Sequence, residues 1–293
     1  MTGDTARVLR GVAGVFLIAV DGRPIGQASP RGLFRKDKIR PIPGDFVRYE
    51  ASGDPDIPWR LTEILPRKNE LQRPSLANLD LMILTASAAY PQVDYHYLDR
   101  MLAYVLKQKI AVMLVLTKCD LPGTERSRQE FLRYYESAPF EVHLLGFDDE
   151  ESLEALKLRL KGLFSAFSGQ SGVGKSTLMN RLLGEEILET AQLSVKGKCG
   201  KQTSRSVEIY SRGQLLLADT PGFQALDLQN FNLSGDDLLE AFPDIKKAAP
   251  YCRFHNCRHM GEPGCAVVQF PVLPERLARY RELRQIVEQA IRY

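Results

Sequence analysis

Apolar runs in the middle and second half of the chain follow the pattern of a parallel sheet. Residues 110–116 form a continuous apolar run, which predicts a strand buried on both faces. Residues 163–167 and 215–218 are shorter runs of the same kind. A helical stretch, 176–183, follows the first of these two and is closed by Gly184. Strands that alternate with helices in this way predict an α/β domain.

The N-terminal residues have a different pattern, with short apolar runs at 12–20 and 45–49. Turns rich in glycine, proline and aspartate separate these runs, which is typical of a small β-barrel. We therefore predict three parts: a barrel domain over 1–68, an α/β domain over 69–225, and a smaller, mainly helical domain over 226–293.

The last segment, 274–293, has the spacing of an amphipathic helix. Its apolar stripe consists of Leu277, Tyr280, Leu283, Val287 and Ala290. Arg276, Arg279 and Arg284 lie away from that stripe. We expect the stripe to pack against the rest of the domain and the arginines to form a solvated face, with contact to RNA as the alternative.

A glycine-rich loop joins the apolar run 163–167 to the helical stretch. It fits the spacing G-x-x-x-x-G-K-[ST] of a phosphate-binding loop, in which backbone N–H groups cradle phosphates, a lysine neutralises them and a hydroxyl ligates Mg²⁺. A chance glycine-rich turn is the alternative, but the flanking strand and helix favour the phosphate loop. The predicted nucleotide-binding residues here are Gly169, Gln170, Ser171, Gly172, Val173, Gly174, Lys175, Ser176 and Thr177.

A site for Mg²⁺ and nucleotide also needs a carboxylate at the end of a neighbouring strand, and Asp219 directly follows the run 215–218. We expect Asp219 to hold Mg²⁺ through water and Gly222 to bring its backbone N–H to the γ-phosphate. Upstream of Asp219, Thr203 and Ser204 each offer a hydroxyl that can complete the magnesium shell, and Ser204 is the first choice. Asp-Thr-Pro-Gly alone is a common turn, but after a phosphate loop it predicts a GTPase-type switch.

A guanine-reading motif directly follows the run 110–116. Its form is Asn/Thr-Lys-x-Asp, and its residues are Thr117, Lys118, Cys119 and Asp120. A carboxylate accepts hydrogen bonds from guanine N1 and N2, a pair of donors that adenine lacks. Lys118 is able to lie along the base. Alone the motif is weak, since Lys and Asp are common in surface turns, but beside the other two motifs it predicts guanine binding.

These motifs stand in inverted order, because the guanine motif precedes the phosphate loop by about fifty residues. If the chain of a GTPase domain is cut in one loop and its original termini are joined, the same pocket forms. The guanine motif then precedes the phosphate loop in the sequence. Such circular permutation is tolerated because the termini of a domain often lie close together. The segment after Gly222 then leads directly into the C-terminal region.

Three cysteines and a histidine cluster near the C-terminus, with the spacing C-x4-C-x-H-x5-C. Three thiolates and one imidazole suit a closed, tetrahedral zinc site. A disulfide or buried free thiols are the alternatives. His255 is a competing ligand, while Cys119 and Cys199 are isolated and expected to be ordinary thiols. The predicted zinc ligands are Cys252, Cys257, His259 and Cys265.

The barrel region carries twelve Lys/Arg against eight Asp/Glu, and five of the basic residues fall within 31–40 around Phe34. Such a stripe is able to follow a phosphate backbone and stack a base on Phe34. A solvated basic loop with Phe34 in the barrel core is equally compatible with the pattern, and both readings stay open.

The whole chain of 293 residues has a formal net charge of +3, too small for a generic polycation. No apolar run approaches the roughly 18 residues that a membrane span requires, so no membrane partner is expected. No secretory signal is recognised, and we expect a cytoplasmic, reducing setting that disfavours disulfides. A monomer is the expected state.

The chain resembles the ribosome small-subunit-dependent GTPase A (RsgA) family over essentially its full length. The resemblance is carried by the permuted motif order, the zinc cluster, the basic segment 31–44, the linker 67–74 and the tetrapeptide 77–80. It implies an OB-fold barrel, a circularly permuted GTPase domain and a domain with one structural Zn²⁺. It also implies Mg²⁺-dependent hydrolysis of GTP, stimulated by the small ribosomal subunit and its rRNA during late assembly of that subunit.

Departures from the family pattern concern catalysis and the base. The family is thought to use a histidine where this chain has Gln202, which can orient water but cannot act as a general base. Phe223 stands where Ras-like enzymes carry a water-orienting glutamine, as is usual in the family. Gly146 and Phe147 replace the usual Ser-Ala near the guanine, leaving only backbone contacts. Gln202 and Lys175 are the predicted catalytic residues.

Two other classes of protein compete with this prediction. An ATP-dependent kinase or ATPase can use the same phosphate loop, but it has no need of Asp120 after a buried strand. An RNA-binding assembly scaffold can retain a GTP site with little catalysis, and the missing histidine favours this class. Nucleotide competition tests the first alternative, and subunit-stimulated hydrolysis tests the second.

Overall fold

The computed structural model describes residues 4–30, 40–72, 74–135, 138–184, 207–220 and 232–290. The chain falls into two units, one made of Met1–Leu81, Glu151–Ser168 and Lys175–Phe223, the other of Met82–Glu150, Gly169–Gly174 and Gln224–Tyr293. Several residues singled out from the sequence lie outside the described ranges: Phe34 with the rest of 31–39, Cys199, Gln202, Thr203, Ser204, Gly222 and Phe223.

Five strands form the N-terminal part of the first unit: β1 (Thr5–Val12), β2 (Val15–Val20), β3 (Arg23–Pro30), β4 (Phe46–Ala51) and β5 (Trp59–Ile64). They close into a barrel in the order β1-β2-β3-β5-β4. Neighbouring strands are antiparallel except β3 and β5, which are parallel. Alternate side chains point inward, and the barrel core includes Val8, Phe16, Ile18, Val47 and Leu61. The predicted β-barrel is confirmed.

A short hairpin, β6 (Glu70–Gln72) and β7 (Ser75–Ala77), follows the barrel. Next come β8 (Leu81–Ser87), α1 (Tyr95–Lys107), β9 (Ala111–Thr117), α2 (Glu125–Tyr135) and β10 (Glu141–Leu144). The three strands β8 to β10 lie in the order β10-β9-β8, with β9 and β10 parallel. All residues of β9 after the first are buried, which confirms the buried strand predicted over 110–116.

Three further strands and two helices belong to the first unit. Its elements are α3 (Glu150–Leu160), β11 (Phe164–Gly169), α4 (Lys175–Leu183), β12 (Glu208–Arg212) and β13 (Leu215–Asp219). The strand order is β11-β13-β12, in which β11 and β13 are parallel and β12 is antiparallel to β13. The predicted succession of strand, glycine loop and helix is confirmed.

The C-terminal region is mainly helical, as predicted, and no helix in the described part of the chain is long and apolar enough to span a bilayer. Its α-helices are α5 (Gly235–Glu240), α6 (Pro243–Ala248) and α7 (Pro274–Ala290). Two 3-10 turns, Ala249–Tyr251 and Ala266–Gln269, flank the cysteine-rich segment. A capping box starts α5, because the Ser234 hydroxyl accepts the N–H of Asp237 while the Asp237 carboxylate accepts the N–H of Ser234.

The arginines of α7 do not form the predicted solvated face, and for Arg276 and Arg279 that prediction is wrong. Their exposures are 2% and 8%, because acidic partners face them inside the unit. Arg279 Nε donates to Asp99 on α1 at 2.8 Å, and Arg276 Nε donates to Asp244 on α6 at 3.1 Å. These two arginines are therefore unsuited to contact RNA. The apolar stripe packs as predicted, with burial of Tyr280, Leu283 and Val287.

Asp99 is the centre of a buried polar network. Its carboxylate accepts the hydroxyl of Tyr135 at 2.9 Å as well as Arg279 Nε. The Arg279 guanidinium also lies over the rings of Tyr95 and Tyr134, 5.0 and 4.5 Å from their centroids. Burial raises the pKa of Tyr135 well above its ordinary value, so the hydroxyl keeps the proton that it donates. The network fixes α7 against α1 and α2.

Replacement of Asp99 by alanine is expected to lower the free energy of unfolding by about 3–5 kcal/mol, because Arg279 is then left buried without a counter-charge. The measurement is urea unfolding followed by circular dichroism. Glu282→Ala is the matched control, since Glu282 joins the same two helices through an exposed pair with His96 and such pairs contribute about 0–1 kcal/mol. Equal losses in the two variants would contradict this role of Asp99.

Candidate nucleotide site and metal centre

The predicted phosphate loop begins where β11 ends, at Gly169. The φ of Gly169 is 154°, and a Cβ built there would lie 2.1 Å from the carbonyl oxygen of Thr85. No other residue type fits this close approach to β8. Gly172 and Gly174 also have positive φ, 81° and 97°. The glycines of the motif thus stand where the backbone conformation favours them.

Side chains of the guanine motif hold the phosphate loop. Lys118 Nζ donates to the carbonyl oxygen of Gly172 at 2.7 Å and to that of Tyr90 at 2.6 Å. The Thr117 hydroxyl lies 2.5 Å from the carbonyl oxygen of Val173. Two motifs that are 54 to 56 residues apart in the chain are therefore in direct contact. Tyr90 was not predicted, because it contributes a backbone carbonyl and such a contact leaves no mark in the sequence.

The segment after β10 packs against the rest of the guanine motif. Cys119 N–H donates to the carbonyl oxygen of Leu145 at 3.0 Å. A Cβ built on Gly146 would lie 3.0 Å from Cβ of Asp120, so a larger residue would displace that exposed carboxylate. Burial raises the pKa of Cys119 to about 11, which keeps it a neutral thiol. Backbone, rather than a hydroxyl, therefore lies beside Asp120.

Lys175, Ser176 and Asp219 belong to the first unit, Lys175 at the start of α4 and Asp219 at the end of β13. Burial lowers the pKa of Lys175 and raises that of Asp219, while attraction between the two charges opposes both shifts. Within the described residues, Asp219 Oδ1 is buried and has no hydrogen-bond partner. A buried acceptor left unpaired costs about 1–3 kcal/mol. Such an oxygen fits a site that Mg²⁺ or its bound water completes.

The four predicted zinc ligands converge, and their ligand atoms lie within 4.8 Å of one another. Nδ1 of His259 is 3.6 Å from Sγ of Cys252 and 3.5 Å from Sγ of Cys265. Tetrahedral Zn²⁺ with ordinary Zn–S and Zn–N bonds separates such atoms by about 3.6 Å. The cluster therefore fits a metal ion of this type. His255, the competing ligand in the sequence, is not part of the group.

Neighbouring groups hold these ligands in place. Burial is the main cause of a lowered pKa at His259, which favours the neutral imidazole that binds metal. The backbone N–H of Ala266 donates to Sγ of Cys252 at 3.3 Å. Glu262 accepts the N–H groups of Arg258 and Met260 at 3.1 and 2.8 Å, which fixes the turn around His259. The role of Glu262 was not predicted from the sequence. The only indication there is its position between the predicted ligands His259 and Cys265.

Comparison with known proteins adds independent findings. The RsgA GTPase model matches residues 64–229, and the RsgA N-terminal domain model matches residues 5–56. The small ribosomal subunit biogenesis GTPase RsgA of Bacillus cereus is 36% identical over 289 residues, which are 97% of this chain and 96% of that protein.

Two solved structures share the fold. The crystal structure of YloQ, a circularly permuted GTPase, has a TM-score of 0.76 and 30% identity, covering 97% of this chain and 95% of that one. YjeQ from Thermotoga maritima has a TM-score of 0.77 at 22% identity, covering 97% and 98% of the two chains, and supports the fold alone. The predicted barrel, permuted GTPase domain and Cys₃His cluster are confirmed. By its match to the family model and its identity to the B. cereus protein, this chain belongs to the RsgA GTPase family.

Proposed function

We propose that this protein binds the small ribosomal subunit and acts in its late maturation, hydrolysing GTP to GDP and phosphate with turnover that the subunit stimulates. The observation that carries the proposal is the contact of Lys118 Nζ with Gly172 of the phosphate loop, 2.7 Å. It joins a guanine motif to a phosphate loop, as a GTP site requires. The B. cereus relative is named a small ribosomal subunit biogenesis GTPase.

The phosphates are assigned to the backbone N–H groups of the loop 169–174 and to Lys175, whose charge is only partly hydrated. Mg²⁺ would be held by Ser176, by Asp219 and by one hydroxyl, that of Thr203 or Ser204. When bound, this ion neutralises the charge that develops on the phosphoryl oxygens. Gly222 is assigned to the γ-phosphate. The unpaired Oδ1 of Asp219 supports the magnesium assignment.

Guanine is assigned to Asp120, which is exposed at the end of the motif. Its carboxylate would accept the N1 and N2 donors of the base. The backbone of Gly146 lies beside Asp120. The rest of the base edge is assigned to backbone groups of Gly146 and Phe147. This arrangement selects GTP over ATP, because adenine presents no matching pair of donors.

A competition assay tests the nucleotide class. Labelled GDP bound to the protein is expected to be displaced by GTP but not by ATP at the same concentration, with Lys175→Ala as a reference that binds neither. Displacement by ATP alone would assign the site to an ATPase or kinase.

Catalysis is assigned to Gln202, which would orient the attacking water. Replacement of Gln202 by alanine is expected to lower subunit-stimulated hydrolysis by about 10²-fold, the order of loss that follows from misplacing a reactant. Affinity for labelled GDP should stay within about twofold of the unchanged protein, because Gln202 is not assigned to binding. Gln214→Ala, an exposed glutamine in the β12–β13 turn, is the control. An unchanged stimulated rate would remove Gln202 from catalysis.

The partner is assigned to rRNA of the small subunit. The basic segment 31–40 of the barrel, with five Lys/Arg, supports this assignment. Zn²⁺ at the Cys₃His cluster is assigned a structural role, because all four ligand positions come from protein. We also propose that the domains span residues 1–68, 69–225 and 226–293. The protein is further assigned a cytoplasmic location and a monomeric state.

A further inference from the structure

A cleft of about 720 Å³ lies within the first unit, between the barrel and strands β11 to β13. Its walls come from β1, the β2–β3 turn, the start of β11 and the β12–β13 turn. Clefts that bind small molecules usually measure about 300–1,000 Å³. Neither Lys175 nor Asp219 lines this cleft. It is therefore a candidate site apart from the residues assigned to the nucleotide.

Contacts between the barrel and β12 hold the walls of the cleft in place. Arg10 on β1 donates from Nη1 to Glu208 on β12 at 2.7 Å. A Cβ built on Gly22 would lie 2.6 Å from Oγ of Ser211, so the β2–β3 turn packs directly against β12. A ligand that enters between fixed walls pays little for ordering the protein. The cleft thus has the character of a pre-formed site.

Arg7 lines the cleft and is half-buried between two aromatic rings. Its guanidinium carbon lies 4.3 Å from the ring centroid of Phe46 and 4.9 Å from that of Phe164. Nη1 of Arg7 is buried and has no hydrogen-bond partner within the described residues. Burial lowers the pKa of Arg7, while attraction to Asp80 opposes the shift. Because a guanidinium keeps its proton in proteins, Arg7 is a cation that lacks a bonded anion at Nη1.

The carboxylate that attracts Arg7 is already engaged elsewhere. One oxygen of Asp80 accepts Lys68 Nζ, and the other accepts the N–H of Phe164 at 2.8 Å. Among the described lining residues, Asp21 and Lys161 are exposed and carry opposite charges. Arg7 therefore gives the inner part of the cleft its positive charge.

Other side chains in the cleft are apolar, and Leu9, Ala19 and Leu215 among them are buried. A guanidinium forms charge-assisted hydrogen bonds with the oxygens of an acidic group such as a carboxylate or a phosphate. We infer that this cleft binds a small organic anion, whose acidic group pairs with Arg7 and whose apolar body lies against the neighbouring walls. This inference does not depend on the proposed function.

The first test uses the probe 8-anilinonaphthalene-1-sulfonate, an organic anion whose fluorescence rises in an apolar site. Full-length protein is titrated with the probe in the presence of Mg²⁺ and excess GDP, which keep the probe out of a nucleotide site. Saturable binding with a Kd on the order of 10 µM is expected for a ligand of about twenty non-hydrogen atoms.

Arg7→Met removes the charge but keeps an unbranched side chain between the two rings. It is expected to weaken binding of the probe by about 10- to 100-fold, the loss that follows from one charge-assisted contact. Arg10→Met is the matched control on the same strand and should bind like the unchanged protein, because the Arg10 guanidinium is paired with Glu208. Loosely folded proteins bind this probe through exposed apolar surface, so misfolding of a variant would raise the signal and could not imitate the loss.

A second test, on the unchanged protein, identifies the acidic group by competition. Naphthalene-1-carboxylate and 1-naphthyl phosphate are expected to displace the probe, whereas naphthalene-1-carboxamide, which is uncharged, should not do so at the same concentration. Displacement by one of the two anions alone would assign the site to carboxylates or to organic phosphates. Equal displacement by the amide, equal affinity of Arg7→Met and the unchanged protein, or no saturable binding of the probe would overturn the inference.

Discussion

Replacement of Asp120 by asparagine is expected to weaken GTP binding by about 10²-fold or more. Two guanine donors lose a charged acceptor, and each hydrogen bond to a charged group contributes about 1.5–3 kcal/mol. The measurement is a titration with fluorescent GDP. Glu125→Gln, an exposed acidic residue at the start of α2, is the control and should bind normally.

The Asp120→Asn variant is also expected to gain affinity for a different base. A loss of stability alone cannot produce such a gain. Xanthine replaces the N2 donor of guanine with an oxygen, and the amide of asparagine can donate to that oxygen while it accepts from N1. The Asp120→Asn protein is therefore expected to prefer xanthosine nucleotides to guanosine nucleotides. Unchanged affinity for GTP in this variant would contradict the guanine assignment.

Removal of the metal from the Cys₃His cluster is expected to have the second large effect. Binding of a structural Zn²⁺ contributes on the order of 10 kcal/mol to the folding of a small zinc domain. Cys265→Ser, or treatment of the protein with a strong chelator, should lower the melting temperature by roughly 10 °C or more. The measurement is calorimetry combined with metal analysis, which should find one zinc per chain in the unchanged protein.

His255→Ala is the matched control for the metal centre, because His255 lies in the same segment but outside the group of ligands. It should keep its zinc and its melting temperature. Retention of zinc by Cys265→Ser together with its loss from His255→Ala would reassign the ligands.

The succession of strand, glycine loop and helix around Gly169 could be predicted because its motif depends on residue types at fixed spacing. Gly169 illustrates this, since the 2.1 Å approach to Thr85 admits only glycine. The bridge from Lys118 to the carbonyl oxygens of Tyr90 and Gly172 could not be predicted. Every residue has a carbonyl, so its use is set by the tertiary fold alone.

Helical periodicity predicted which residues of α7 pack but failed for the arginines. A periodic pattern predicts which residues share one face of a helix. It does not predict which residues elsewhere in the chain pack against that face. Asp99, the partner of Arg279, lies 180 residues away in the sequence. Arg276 and Arg279 are buried because Asp99 and Asp244 compensate their charges inside the unit.

Because the motifs are permuted, the candidate switch directly precedes the C-terminal region in the sequence. The structure shows which contacts hold the start of that region. The described chain resumes at Asn232, whose carbonyl oxygen accepts Nζ of Lys107 on α1. Lys107 also pairs with Asp237 in the first turn of α5 at 3.1 Å. The start of the C-terminal region is thus fixed to α1.

Single-turnover hydrolysis of GTP, with and without purified small ribosomal subunits, tests the central claim most directly. The protein is predicted to hydrolyse bound GTP slowly alone and much faster with the small subunit, while large subunits have no effect. Equal rates with and without the small subunit, at full occupancy by GTP, would contradict the account and favour an RNA-binding scaffold with a GTP site.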